Sequence, residues 1–192
     1  MNNIEKIIGE SIATKQRILE NKELVQRIDE FKSMIIAAYR KGAKVLFCGN
    51  GGSAADAQHI AAELSGRFYL DRKPLYAEAL HCNSSFVTSV SNDYGFENVF
   101  SRAVEAFAHK GDILVGISTS GNSANVLKAC EKAREIGVSI IAMTGNDGGK
   151  MAQLSDLLIN VPSTDTPRIQ EAHIMIGHIV CELVEKELFG NE

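Results

Sequence analysis

His59 and Glu63 stand four residues apart in the stretch CGNGGSAADAQHIAAEL, residues 48–64. On a helix this spacing puts an imidazole and a carboxylate on one face, about 6 Å apart at their bases. Such a pair is often a surface ion pair, and it is equally suited to holding zinc or moving a proton. The residues just before it add context. Gly49-Asn50-Gly51-Gly52-Ser53-Ala54 is a glycine turn that follows an apolar run and opens a helix. Read literally, it satisfies the G-x-G-x-x-A pattern of a dinucleotide site. That reading also needs a carboxylate at the end of the next strand, and Leu80-His81-Cys82-Asn83 contains none. The dinucleotide fingerprint is incomplete. A tight turn without a ligand is the structural alternative, against which Asn50 and Ser53 add side-chain donors to the backbone N–H groups.

A second polar turn, GISTSGNSANV (residues 116–126), places four hydroxyls, those of Ser118, Thr119, Ser120 and Ser123, around Gly121. Asn122 or Ser123 can cap the following helix, but capping accounts for only some of these residues. Hydroxyls and free N–H groups at a helix N-terminus bind anions without Lys or Arg, so this turn is expected to hold a phosphate.

The elements that must position these loops follow from the apolar pattern. Ile4, Ile7, Ile8, Ile12, Ile18 and Leu19, then Leu24, Ile28, Phe31, Ile35 and Ala38, mark two amphipathic helices ending near Gly42. They either cover the core or make an oligomer contact. Strands are predicted at 43–48, 75–80, 112–117, 138–143 and 156–161. Helices are predicted at 53–65, 84–91, 97–108, 123–136, 149–154 and 166–189. The alternation predicts an α/β fold: a doubly wound, five-stranded parallel sheet with helices on both faces and an N-terminal helical hairpin. The expected organisation is one domain over 1–192, with the hairpin at 1–41 and the α/β core at 43–192. Functional loops of such a sheet lie at the carboxyl ends of its strands.

Composition excludes several classes. A formal charge of −4 does not suit a nucleic-acid surface. No apolar run approaches the roughly 18 residues of a membrane span. MNNIEKIIGESIATKQ lacks the pattern of a signal peptide, and Cys48, Cys82, Cys130 and Cys181 form no CxxC pair. A cytoplasmic location is the expectation.

The pairing of CGNGGS with GISTSGNS resembles the sugar isomerase (SIS) family of phosphosugar-binding domains. SNDYGFENVFSR (91–102), MTGNDGGKM (143–151) and RIQEAHIMIGHIVCELVEKEL (168–188) extend the likeness over essentially the whole chain. Together the motifs are most similar to the SIS isomerases of heptose phosphates. The resemblance implies a flavodoxin-like SIS fold and a homotetramer with active sites at subunit interfaces. It implies one Zn2+ per subunit held by His59, Glu63, Gln170 and His178, with Glu63 and His178 catalytic. Asn50, Gly51, Gly52, Ser53, Glu63, Asn92, Asp93, Ser118, Thr119, Ser120, Ser123 and Gln170 are implied to bind the substrate. That substrate is expected to be sedoheptulose 7-phosphate, isomerised through a cis-enediol(ate) for lipopolysaccharide core or another surface glycan.

Geometry qualifies the ligand set. Gln170 and His178 are separated by about 12 Å along a continuous helix. The helix must start irregularly, or the ligands must come from different subunits. For Asn92 and Asp93 an Asx-turn is the structural alternative; Arg67 is either a charge near the site or a structural pair, and His173 reads as structural or as a minor contact. Pro167 stands where some relatives carry an acid, with Asp165 two positions earlier. The alternative function is that of a non-catalytic SIS protein binding the replication initiator DnaA. Such proteins lack the Glu–His pair, and both Glu63 and His178 are present here.

Overall fold

A computed structural model of the protein describes residues 2–190. Asn2 opens helix α1 (Asn3–Glu20) with a reciprocal cap: its side chain accepts from the Glu5 N–H, and the Glu5 carboxylate accepts from the Asn2 N–H. Asn21 ends α1 and caps α2 (Lys22–Arg40), accepting from the Leu24 N–H at 3.1 Å. The two helices are buried very differently. α2 lays Leu24, Ile28, Phe31, Ile35, Ile36 and Ala38 on the core, and Gly42, at φ 74°, turns the chain into the sheet. In α1 only Thr14 and Ile18 are buried, while Ile4, Ile7, Ile8 and Ile12 are 52–68% exposed.

Strands β1 (Val45–Gly49), β2 (Ala77–Ala79), β3 (Ile113–Ser118), β4 (Ser139–Thr144) and β5 (Leu157–Asn160) form one parallel sheet in the order β2-β1-β3-β4-β5. The connecting helices are α3 (Gly52–Ser65), α4 (Ser84–Tyr94), α5 (Val99–Phe107) and α6 (Ala124–Ile136), and α7 (Thr166–Phe189) closes the fold. Because side chains alternate along a strand, Val45 and Phe47 join the core beneath α2, α3 and α7, while Leu46 and Cys48 join the one beneath α5 and α6. This is the doubly wound arrangement expected, with its switch point between β1 and β3. The loops of residues 50–51 and 119–123 leave those two strands.

Beyond shifts of one or two residues at element ends, the structure differs from the sequence reading in four places. The helix predicted at 149–154 is a 3-10 turn (Gly149–Gln153). The second strand shrinks from 75–80 to three residues, because it is an edge strand paired only with β1. The helix predicted at 84–91 runs on to Tyr94, where Gly95 at φ 86° ends it, so Asn92 and Asp93 occupy its last turn. Residues 97–108 divide into a 3-10 turn (Phe96–Asn98) and α5.

His173 ties α7 to the sheet. It is fully buried, and its Nε2 lies 3.0 Å from the Thr144 carbonyl at the end of β4. Burial lowers its pKa from 6.5 to about 4, against the pull of the Thr144 bond. The folded protein therefore disfavours the charged ring. This contribution is complete above pH 6.5 and is lost as pH falls through about 4, by about 3 kcal/mol in all. Denaturant unfolding at pH 7 and pH 4.5 should show His173→Gln, which keeps a donor for Thr144, losing about 2 kcal/mol less stability than the parent over that interval.

Candidate active site

His59 and Glu63 project from one face of α3, and His178 meets them from α7. His59 Nε2 is 3.1 Å from Glu63 Oε1 and 3.0 Å from His178 Nε2, and ligand atoms of all three residues lie within 4.8 Å of one another. The helices approach this closely because Gly177, beside His178, lies against Ile60, beside His59. A Cβ on Gly177 would stand 2.5 Å from Ile60 Cδ1. The Phe68 ring packs 5.8 Å from the His178 ring, whereas the His59 side chain is half exposed. Two imidazole nitrogens 3.0 Å apart either share a proton or face a common cation. Nitrogens bound at 2.0–2.1 Å to a tetrahedral zinc stand about 3.3 Å apart, so the two imidazoles fit such an ion with little movement, and Glu63 lies near enough to be a third ligand.

The glycine turn is shaped by close contacts. Gly51 adopts φ 55°, and a Cβ on Gly52 would lie 2.4 Å from Gln170 Nε2. Gln170 of the same chain therefore packs at the start of α3, while His178 meets that helix two turns later. Because α7 is continuous from Thr166 to Phe189, the irregular start considered for this helix is not what the structure has. The Asn50 side chain is turned toward Asn125 on α6: each amide donates to the other, at 2.9 and 2.8 Å. Asn125 is buried and also accepts from the Val126 N–H at 3.0 Å. This reciprocal pair joins the two loops across the switch point.

In the second turn the Ser118 hydroxyl lies between those of Ser120, at 3.5 Å, and Ser123. Ser118 and Ser123 bond to each other at 2.9 Å, so Ser123 stands at the N-cap of α6 without capping it by its side chain. Thr119 and Ser120 line a cavity of about 320 Å³, whose far wall includes Asn146, Asp147, Ser163, Thr164 and Thr166. Gly121, at φ 63°, would clash through a Cβ with the Gly148 carbonyl at 2.1 Å, so the two walls touch there. Asn92 and Asp93 are exposed, and Asn92 Nδ2 donates to Asp93 Oδ1 at 2.8 Å; among the described residues no hydrogen bond joins either side chain to the two loops. Arg67 is exposed.

Residues 9–145 match the SIS domain family. The chain is 55% identical to the phosphoheptose isomerase of Clostridium acetobutylicum over 191 residues, covering 100% of this chain and 97% of that protein. It is 56% identical to the phosphoheptose isomerase of Mycobacterium tuberculosis over 186 residues, covering 97% and 95%. The chain belongs to the phosphoheptose isomerase family of SIS-domain proteins. The solved phosphoheptose isomerase of Neisseria gonorrhoeae superposes with a TM-score of 0.90 at 44% identity, covering 95% of this chain and 97% of that one.

Within the phosphoheptose isomerase fold, sequence reading overlooked Asn125. Its signal was a small amide just inside a helix, where a helix former is favoured and a side chain bonding its own backbone is not. The cavity's far wall was also overlooked, although Asn146 and Asp147 lie in a motif already singled out. A branched side chain at the tightest helix contact should part α3 from α7. Gly177→Val is expected to lower the melting temperature by about 3–10 °C and to weaken Zn2+ binding about tenfold or more. Thermal melts with and without added Zn2+ measure both.

Proposed function

We propose that the chain is a phosphosugar aldose–ketose isomerase converting sedoheptulose 7-phosphate into D-glycero-D-manno-heptose 7-phosphate. The observation that carries this reading is the meeting of His59, Glu63 and His178 within 4.8 Å in a chain that also forms the hydroxyl turn. The names of the relatives support the substrate. A hydroxyl-lined cavity at the N-terminus of α6 suits a phosphate, with Thr119 and Ser120 exposed to it. Gly51, Gly52 and Ser53 offer the sugar a close backbone, while Asn50 holds that turn in place through Asn125.

Glu63 removes a proton from C1 of the open-chain ketose, giving a cis-enediolate. His178 returns a proton to C2, and the proton on O1 passes to O2. Hydrogen and charge balance without an oxidant, and the exposed side of the cluster lets both groups regain their starting protonation from water. When bound by His59, Glu63 and His178, Zn2+ would polarise the substrate carbonyl and stabilise developing negative charge. Gln170 of the same chain sits against Gly52, which suits substrate binding. As a metal ligand it is better supplied by another subunit.

That requirement favours a homotetramer with shared sites, and the exposed Ile4, Ile7, Ile8 and Ile12 supply an apolar face for it. Unpaired Cys48, Cys82, Cys130 and Cys181 fit a reducing cytoplasm, and no helix among the described residues is long and apolar enough to cross a membrane. The heptose product would feed lipopolysaccharide core or another surface glycan. The intact Glu63–His178 cluster disfavours a purely protein-binding role such as recognition of DnaA.

Glu63→Gln should lower turnover by about 10²–10⁴-fold while calorimetry still detects sedoheptulose 7-phosphate binding; unchanged turnover would remove Glu63 from its role. Chelation should lower activity and Zn2+ should restore it. Full activity of metal-free protein would end the zinc assignment.

A further inference from the structure

Residues 66–76 form neither helix nor strand, yet one buried ion pair holds much of their backbone. Glu185, on α7, accepts from the N–H groups of Phe68, Tyr69 and Leu70 at 3.0, 2.6 and 2.9 Å, and from Arg72 Nε at 2.8 Å. Arg72 directs its other nitrogens to the end of α3: Nη2 donates to the Glu63 carbonyl at 2.9 Å and Nη1 to the Leu64 carbonyl at 2.8 Å. The two side chains are only 1% and 2% exposed. Burial opposes ionisation of Glu185, but the three N–H bonds and the guanidinium outweigh it and hold the carboxyl below its usual range.

The attachment points of this pair bear on the chemistry. Glu185 follows His178 by seven residues, about two turns, and so shares its face of α7. Arg72 ends on the peptide oxygen of Glu63 itself. Between them, Phe68 sets its ring 5.8 Å from that of His178. The pair spans the turn that bears the base and the helix that bears the acid. A planar guanidinium can serve a carboxylate and two helix carbonyls at once, in a geometry that an ammonium does not reproduce.

We propose that Arg72 and Glu185 are positioning residues for the isomerisation, fixing Glu63 relative to His178 through the strap of residues 66–73. This rests on the reading of Glu63 and His178 as the proton-transfer pair. A purely structural pair would affect stability alone. A positioning pair affects kcat and leaves KM in place, because the phosphate is gripped elsewhere, at Thr119 and Ser120.

The test uses Arg72→Lys and Glu185→Gln in the full chain, with kinetics expressed per folded protein. Imidazole NMR shifts of His59 and His178 are recorded without metal. Expected are a kcat lower by about tenfold or more, a KM within about twofold, and displaced His178 resonances. The double variant should lose little beyond either single one. Parent-like kcat, unmoved imidazole resonances, or a loss that only tracks the folded fraction would overturn the proposal. Should either variant fail to fold, Glu185→Asp, which keeps the charge but shortens its reach to the strap and to Arg72, carries the same test. If the parent does not isomerise the sugar, the functional reading fails by itself, and the imidazole shifts alone decide the positioning.

Discussion

The structure depends on the contact between α3 and α7 where Gly177 meets Ile60. A helix pair ordinarily packs 8–10 Å apart, at a distance set by the side chains between them. Removing one side chain at the crossing lets neighbouring residues meet, and the neighbours here are His59 and His178, 3.0 Å apart. Glu63 is one turn farther along α3 and completes the group. The cluster of His59, Glu63 and His178 is therefore not carried by a loop. It lies between two rigid helices whose spacing is set by an absent Cβ.

A similar economy shapes the serine turn. Gly121 packs so closely on Gly148 that the serine turn and the β4–β5 connection form one cavity wall after another without a gap. Asn50 and Asn125 then lock that turn to the first loop by two reciprocal hydrogen bonds between their side-chain amides. Each loop thus braces the other, an arrangement that lowers the entropic cost of ordering either one on binding.

Much of this was legible in the sequence because it is local. The bounds of α7 follow from Pro167 near its start and an apolar face running to Phe189, and the parallel sheet follows from alternating strand and helix patterns. The i,i+4 spacing of His59 and Glu63 gave their shared face, but their partner His178, 119 residues from His59, came only through family resemblance. What stayed hidden was non-local. Nothing near Arg72 announces that it pairs with Glu185, 113 residues away, or that the Asn50 side chain pairs with Asn125, 75 residues away. Ser123 illustrates the converse: its position suits a cap, yet the Ser118 hydroxyl claims it. Local rules name the options, and tertiary neighbours choose among them.

The sheet's outer strands are its shortest, three residues in β2 and four in β5. On the β5 side, Arg27 from α2 also reaches the Asn160 side chain at 3.1 Å. Unpaired backbone along a sheet margin is what lets stray chains add on and aggregate, and brief margins with a nearby charge discourage it. Crowding at high expression should thus find little backbone to template on, leaving side-chain faces to govern how copies recognise one another.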